Sequence, residues 1–151
     1  MPDERLRTHE RAIEVVGAEL SRRGFAFDPP KGRSGETIRV TSRYGKPLAC
    51  QVKVHADTQG NPWILARHAG VPVDPNYYVV LVNLRQYYLP QFYVLTNEEA
   101  RDLYVLDEGN VAHYDIEDLR ADPEGFEKIG ARPAGLVTAG ATSESAGRPA
   151  R

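Results

Sequence analysis

The run Tyr77-Tyr78-Val79-Val80-Leu81-Val82-Asn83-Leu84 constrains the fold most. It is nearly continuous in apolar side chains, which is the mark of a central strand covered on both faces. Phe92-Tyr93-Val94-Leu95 supplies its neighbour. Thr96-Asn97-Glu98-Glu99 then matches a capping box and opens a helix that carries Ala100, Leu103 and Tyr104.

Upstream of the central strand the period changes. Residues 5–23 predict a helix, because Leu6, Ile13, Val16 and Leu20 fall on one stripe with most of the charges elsewhere. Gly17, at the edge of that stripe, costs about 1 kcal/mol against Ala and suits a close approach to a sheet. Gly24 follows Arg22 and Arg23 and sits where a helix ends. Phe25-Ala26-Phe27 reads as a short strand, and residues 28–35 as a loop punctuated by two prolines and two glycines. Residues 36–43 and 48–55 alternate around the turn Tyr44-Gly45-Lys46-Pro47 and form a hairpin. The apolar face selects its register: Ile38 and Val40 share a face with Cys50, Val52 and Val54, so Thr37 and Arg39 share the other with Gln51 and Lys53. Trp63-Ile64-Leu65 reads as a third, antiparallel strand, and residues 115–129 as short acidic helical pieces. The order is helix, strand, hairpin, strand, central strand, strand, helix, an α+β chain with a mixed sheet and flanking helices. Residues 1–130 are expected to form one domain, and 131–151, mostly Ala, Gly, Ser, Thr, Pro and Arg, a disordered tail.

Composition narrows the function classes. Cys50 is the lone cysteine, which excludes an internal disulfide and a multi-cysteine zinc site. No apolar run approaches the roughly 20 residues of a membrane span, and the charged N-terminus lacks the pattern of a signal peptide, so a cytoplasmic protein without membrane partners is expected. The formal net charge is −2, against indiscriminate nucleic-acid binding. The charge is nevertheless uneven. Residues 1–53 carry eleven Lys and Arg against seven Asp and Glu, whereas 54–151 carry eight against fourteen. The basic excess lies in the half that contains Lys53.

Gln51 and Lys53 share one face of a strand, and lysine is rarely sequestered there without a partner. The strand is either an edge with one solvated face or part of an active site that holds a phosphate and a divalent metal. His9, His55, His68 and His113 show no zinc-ligand spacing and read as surface or sheet-edge residues. Neither Ser34 nor Cys50 has an adjacent base, and Gly32-Arg33-Ser34-Gly35 is too short for a P-loop. The tyrosines at 77, 78, 87, 88 and 93 read mostly as core and rim, with Tyr87 and Tyr88 the exposed pair.

Over residues 8–106 the chain resembles the PD-(D/E)XK (restriction-endonuclease-like) nuclease superfamily, in particular small bacterial members of unassigned role. The resemblance is carried by the helix ending in Arg22-Arg23-Gly24-Phe25, the hairpin ending in Gln51-Val52-Lys53-Val54, Trp63, and the two aromatic strands Tyr77–Leu84 and Phe92–Leu95. It implies an αβββαβ-type core, magnesium as cofactor, DNA as partner and metal-assisted phosphodiester hydrolysis, with duplex cleavage by a homodimer. Carried over by position, Gln51 takes the acid-or-amide place and Lys53 the lysine place. The family's first Asp falls at Thr37, a neutral and poor ligand for a hard cation. Two carboxylates offer themselves instead. Glu36 points to the opposite face in a regular strand unless a bulge at Gly35-Glu36 re-aims it. Glu14 lies on the first helix among ordinary surface charges. The resemblance therefore makes Gln51, Lys53 and Glu36 the catalytic candidates and Glu36, Gln51 and Glu14 the metal candidates. Arg33, Arg39 and Lys46, with Arg43, are the phosphate contacts. The alternatives are a catalytically inactive DNA-binding or protein-interaction module of the same fold, and an accessory α+β factor recognised through residues 77–93.

Overall fold

The computed structural model describes residues 4–32, 35–57, 63–65, 70–85, 89–109 and 111–131. The chain runs through α1 (Glu4–Arg22), β1 (Phe25–Asp28), β2 (Thr37–Arg43), β3 (Lys46–Asp57), β4 (Trp63–Ile64), β5 (Tyr77–Asn83), β6 (Gln91–Leu95), α2 (Asn97–Leu103), β7 (Tyr104–Leu106), β8 (Ala112–Tyr114) and a 3-10 helix (Pro123–Lys128). Its main sheet has five strands in the order β1-β2-β3-β5-β6. The pair β3–β5 is parallel and the others are antiparallel, so the sheet is mixed and the fold α+β as expected.

α1 forms because Ala12, Val16 and Leu20, four residues apart, make one buried stripe. The stripe shares one core with Val52, Val54, Tyr78, Val80 and Val82. Gly17 admits the close approach foreseen for it: a Cβ there would lie 3.0 Å from the Phe27 ring. Arg23, only 8% exposed, bonds Glu19 on α1 and Glu124 and Glu127 on the 3-10 helix, at 3.3, 3.3 and 2.9 Å. That anchor seats Phe126 in the same core, edge-on to Phe92.

The β2–β3 hairpin closes through Tyr44 and Gly45, with φ of 48° and 81°. Two central residues in the left-handed region match the right-handed twist of the strands, so Lys46 and Pro47 already belong to β3 rather than to the turn. Pairing is as the apolar face required: Ile38 opposite Val52, Val40 opposite Cys50, Thr37 opposite Lys53 and Arg39 opposite Gln51. Cys50 is a buried cysteine, in no disulfide, on the α1 side of β3.

β5 is buried from Tyr78 to Asn83. Its second face, with Val79 and Leu81, is covered by Leu95, Ala100, Tyr114 and Ile116. The capping box is present, with Glu99 N–H donating to Thr96 Oγ1 at 3.2 Å and Thr96 N–H to Glu99 Oε1 at 2.9 Å.

Three expectations differ. The strand at Trp63 belongs to a separate three-stranded sheet, β4-β8-β7, not to the main one. β3 and β5 are parallel neighbours, so the chain between them must travel back over a face of the sheet, and β4 lies on that return. The described residues of the return, 63–65 and 70–76, contain no helix, where an αβββαβ core carries one. Between 104 and 114, β7 and β8 form a ribbon that was not foreseen. Among the described residues no helix is long and apolar enough to cross a membrane. The tail from 132, Arg33, Tyr87, Tyr88 and the side chain of Trp63 lie outside the described residues.

Candidate functional site

Alternation along β3 turns Cys50, Val52 and Val54 into the core and Gln51, Lys53 and His55 to the other face. Parallel register places Gln51 beside Tyr77, Lys53 beside Val79 and His55 beside Leu81. From β5 outward that face is covered. Over β1, β2 and β3 it is open: Ala26, Asp28, Arg39, Thr41 and Gln51 are all exposed. Lys53 and His55 stand on the boundary.

Lys53 is ion-paired. Its Nζ lies 2.5 Å from Glu36 Oε1, and both side chains are partly exposed, at 27% and 40%. The Glu36 carbonyl accepts from Val54 N–H at 2.8 Å, so by regular alternation Glu36 would share the core face of Val54. It does not, because the regular strand begins only at Thr37. Freed from the pleat, the Glu36 side chain reaches the Lys53 side. The register irregularity of β2 lies at Val40–Ser42 instead, so no bulge at Gly35-Glu36 is needed.

The electrostatics follow from this seat. Burial pushes the Glu36 carboxyl up, but the hydrogen bond and charge of Lys53, with smaller contributions from His55 and His9, hold it below the ordinary carboxylate value. His55 is pushed down to about 4, first by burial and then by Lys53 and His9, with Glu36 opposing. Its ring is partly exposed by area but enclosed by protein, 5.9 Å from the Tyr114 ring. At neutral pH it is an uncharged imidazole. Tyr77 is raised by burial and by the Glu36 charge.

His9, His55 and Tyr77 therefore join Glu36 and Lys53, where the sequence pattern predicts only surface, sheet-edge or core residues. Period-two spacing from Gln51 could have found His55, and strand register Tyr77. The approach of His9, whose Nε2 is 2.6 Å from the Gly35 carbonyl oxygen, has no local signal.

The remaining candidates are placed as follows. Gln51 is exposed next to Lys53, and Arg39 shares their face, 67% exposed and 3.5 Å from Asp28. Glu14 is exposed on the outer side of α1, beside Arg7, Glu10 and Arg11, with the sheet between it and Lys53. Lys46 has the parity of Leu48 and Cys50 and so does not share the Lys53 face. Arg43 is committed elsewhere: it bonds both Glu127 oxygens at 2.8 and 2.9 Å and the Arg23 carbonyl at 3.0 Å, over the Phe25 ring.

For a divalent metal the oxygen donors next to Lys53 in the register are the Glu36 carboxylate, already paired with Lys53, the Gln51 amide and the Thr37 hydroxyl. Among the described residues no group of three or more His, Cys, Asp and Glu side chains stands in metal-binding reach. One carboxylate and two neutral oxygens fall short of the anionic set that a hard cation favours. The groups on this face able to donate to an anion are the Lys53 ammonium, paired with Glu36, the Arg39 guanidinium, 3.5 Å from Asp28, and the Gln51 amide. Comparisons with protein-family models, curated proteins and solved structures found no match to this chain.

Proposed function

We propose that this chain is a nucleic-acid-acting protein built on a PD-(D/E)XK nuclease-like core, whose open half-sheet receives the DNA backbone. The observation that carries the reading is the Glu36–Lys53 pair beside Gln51 on an otherwise uncovered strand face. The strand order β1-β2-β3-β5-β6, entered from an amphipathic helix, also supports it. Magnesium is the cofactor such a core implies, and Glu36 with Gln51 would hold it. Because Thr37 stands opposite Lys53, that donor set is incomplete.

Binding needs only charge and shape. Lys53 meets a phosphate oxygen, Arg39 a second phosphate along the strand, and the Glu36 carboxylate opposes both. The same residue thus separates binding from cleavage. In metal-free buffer Glu36→Gln tightens DNA binding and Lys53→Ala weakens it, each by a few-fold, which is about 1 kcal/mol. In a cleavage assay with magnesium and then manganese, an active nuclease loses its activity in both variants.

Metal-independent binding without cleavage by the wild type selects the second reading, an inactive binding module. The threonine opposite Lys53 favours that reading. No binding to single- or double-stranded DNA or RNA overturns the nucleic-acid assignment and leaves a protein-interaction factor.

A further inference from the structure

Glu36 lies outside the regular part of β2, so the strand ladder alone does not aim its carboxylate. Besides a long Gly35 N–H bond to the Gly32 carbonyl at 3.4 Å, three contacts hold the segment that carries it. Val54 N–H donates to the Glu36 carbonyl at 2.8 Å. Gly35 is pressed against the preceding loop so closely that a Cβ would sit 2.5 Å from the Lys31 carbonyl oxygen and 2.7 Å from Pro30 Cβ. The third contact crosses layers: His9, on α1, puts its Nε2 2.6 Å from the Gly35 carbonyl oxygen.

We propose that His9 is a positioning residue of the site: its Nε2–H donates to the Gly35 carbonyl, and this clasp between α1 and the entry to β2 holds Glu36 against Lys53. The proposal rests on the reading that Glu36 and Lys53 form the site. A carbonyl oxygen only accepts, so Nε2 must carry a proton, which both the Nε2–H neutral tautomer and the imidazolium provide. The titratable groups that sense His9 are Glu36 and His55, and Lys53 faces Glu36 from β3. Removing the imidazole leaves the Gly35 carbonyl without this donor. The next residue then loses the contact that sets its angle of approach.

Two measurements test the clasp. Nitrogen-15 NMR of the wild-type imidazoles reads the His9 tautomer directly. Nε2–H at neutral pH is expected, and an Nδ1–H tautomer overturns the proposal without any substitution. The Glu36 carboxyl titration, followed by carbon-13 NMR in the wild type, His9→Ala and His9→Gln, reads the consequence. His9→Ala is expected to move Glu36 up toward the ordinary carboxylate value. His9→Gln, whose amide still donates, restores most of the shift and so separates the hydrogen bond from the histidine charge. If His9→Ala lowers Tm but leaves the Glu36 titration unchanged, His9 is only structural and the proposal falls. Should that variant not fold, the tautomer and the Gln variant decide. DNA binding is measured separately. A moved Glu36 titration in a protein that binds no nucleic acid removes the functional reading and leaves the clasp standing.

Discussion

The two halves of the main sheet solve different problems. In the β5–β6 half both faces are covered: Val80, Val82, Phe92 and Val94 pack under α1 and the 3-10 helix, and Val79, Leu81 and Leu95 under α2 and the second sheet. In the β1–β3 half one face is equally dry, while the other carries Arg39, Thr41 and Gln51 to solvent. The first half buries apolar side chains on both faces, and the second leaves polar and charged groups on one. The ionisable cluster of Glu36, Lys53 and His55 sits on the line between them, where partial burial strengthens each charge effect without removing access.

The largest effect is expected from the covered half. Phe126→Ala leaves a cavity against Phe92 and should cost about 3–5 kcal/mol in denaturant unfolding. A loss below about 1 kcal/mol would mean the 3-10 helix is not part of the core. Next comes the boundary. The His55 value is about 4 when folded against 6.5 ordinarily, so between those values the unfolded chain binds the proton more readily. Its contribution is complete above pH 6.5 and fades as pH falls toward 4, on the order of 3 kcal/mol in all. Denaturant melts across that range should show the loss in the wild type and a flatter profile in His55→Phe. An unchanged profile would show that His55 is solvated as freely as the open half.

The third effect concerns the open face as a ligand surface. Arg39→Ala should reduce the slope of log K against log salt for duplex DNA by about 0.9, one phosphate contact. An unchanged slope would put the DNA on another surface. The smallest effect is on stability in the same place. Gln51→Ala and Thr41→Ala should each change unfolding free energy by no more than about 0.5 kcal/mol. Larger losses would erase the contrast between the halves.

Much of this arrangement is legible in the chain. The nearly unbroken apolar run at 77–84 marks the strand with two covered faces, and the alternation at 37–43 and 50–54 leaves only one hairpin register. The capping box at Thr96 is a four-residue signal, and its bonds are local. What escaped reading is non-local or irregular. Trp63 and Ile64 pair with Tyr114 and His113, about fifty positions on, through strands too short to show a period. Glu36 reaches Lys53 only because it stands one residue before the pleat begins, and alternation gives the opposite answer there. His9 meets Gly35 across the layer between helix and sheet, a contact no spacing rule contains. For the site, then, the β3 side chains could be read, and the partners that fix their charge could not.

One feature of β3 offers a practical handle. Cys50 is the chain's single thiol, buried under α1 one residue before Gln51 and on the reverse of the strand face that bears Lys53. A thiol reagent can reach it only when the helix layer lifts or the chain opens. The rate of modification is therefore a built-in clock for that opening, with no label placed on the ligand face. A ligand bound on the Lys53 face that slowed the clock would do so by making the open state rarer rather than by shielding the sulfur. The reactivity of one atom would thus report how tightly events on one side of the sheet are tied to the other.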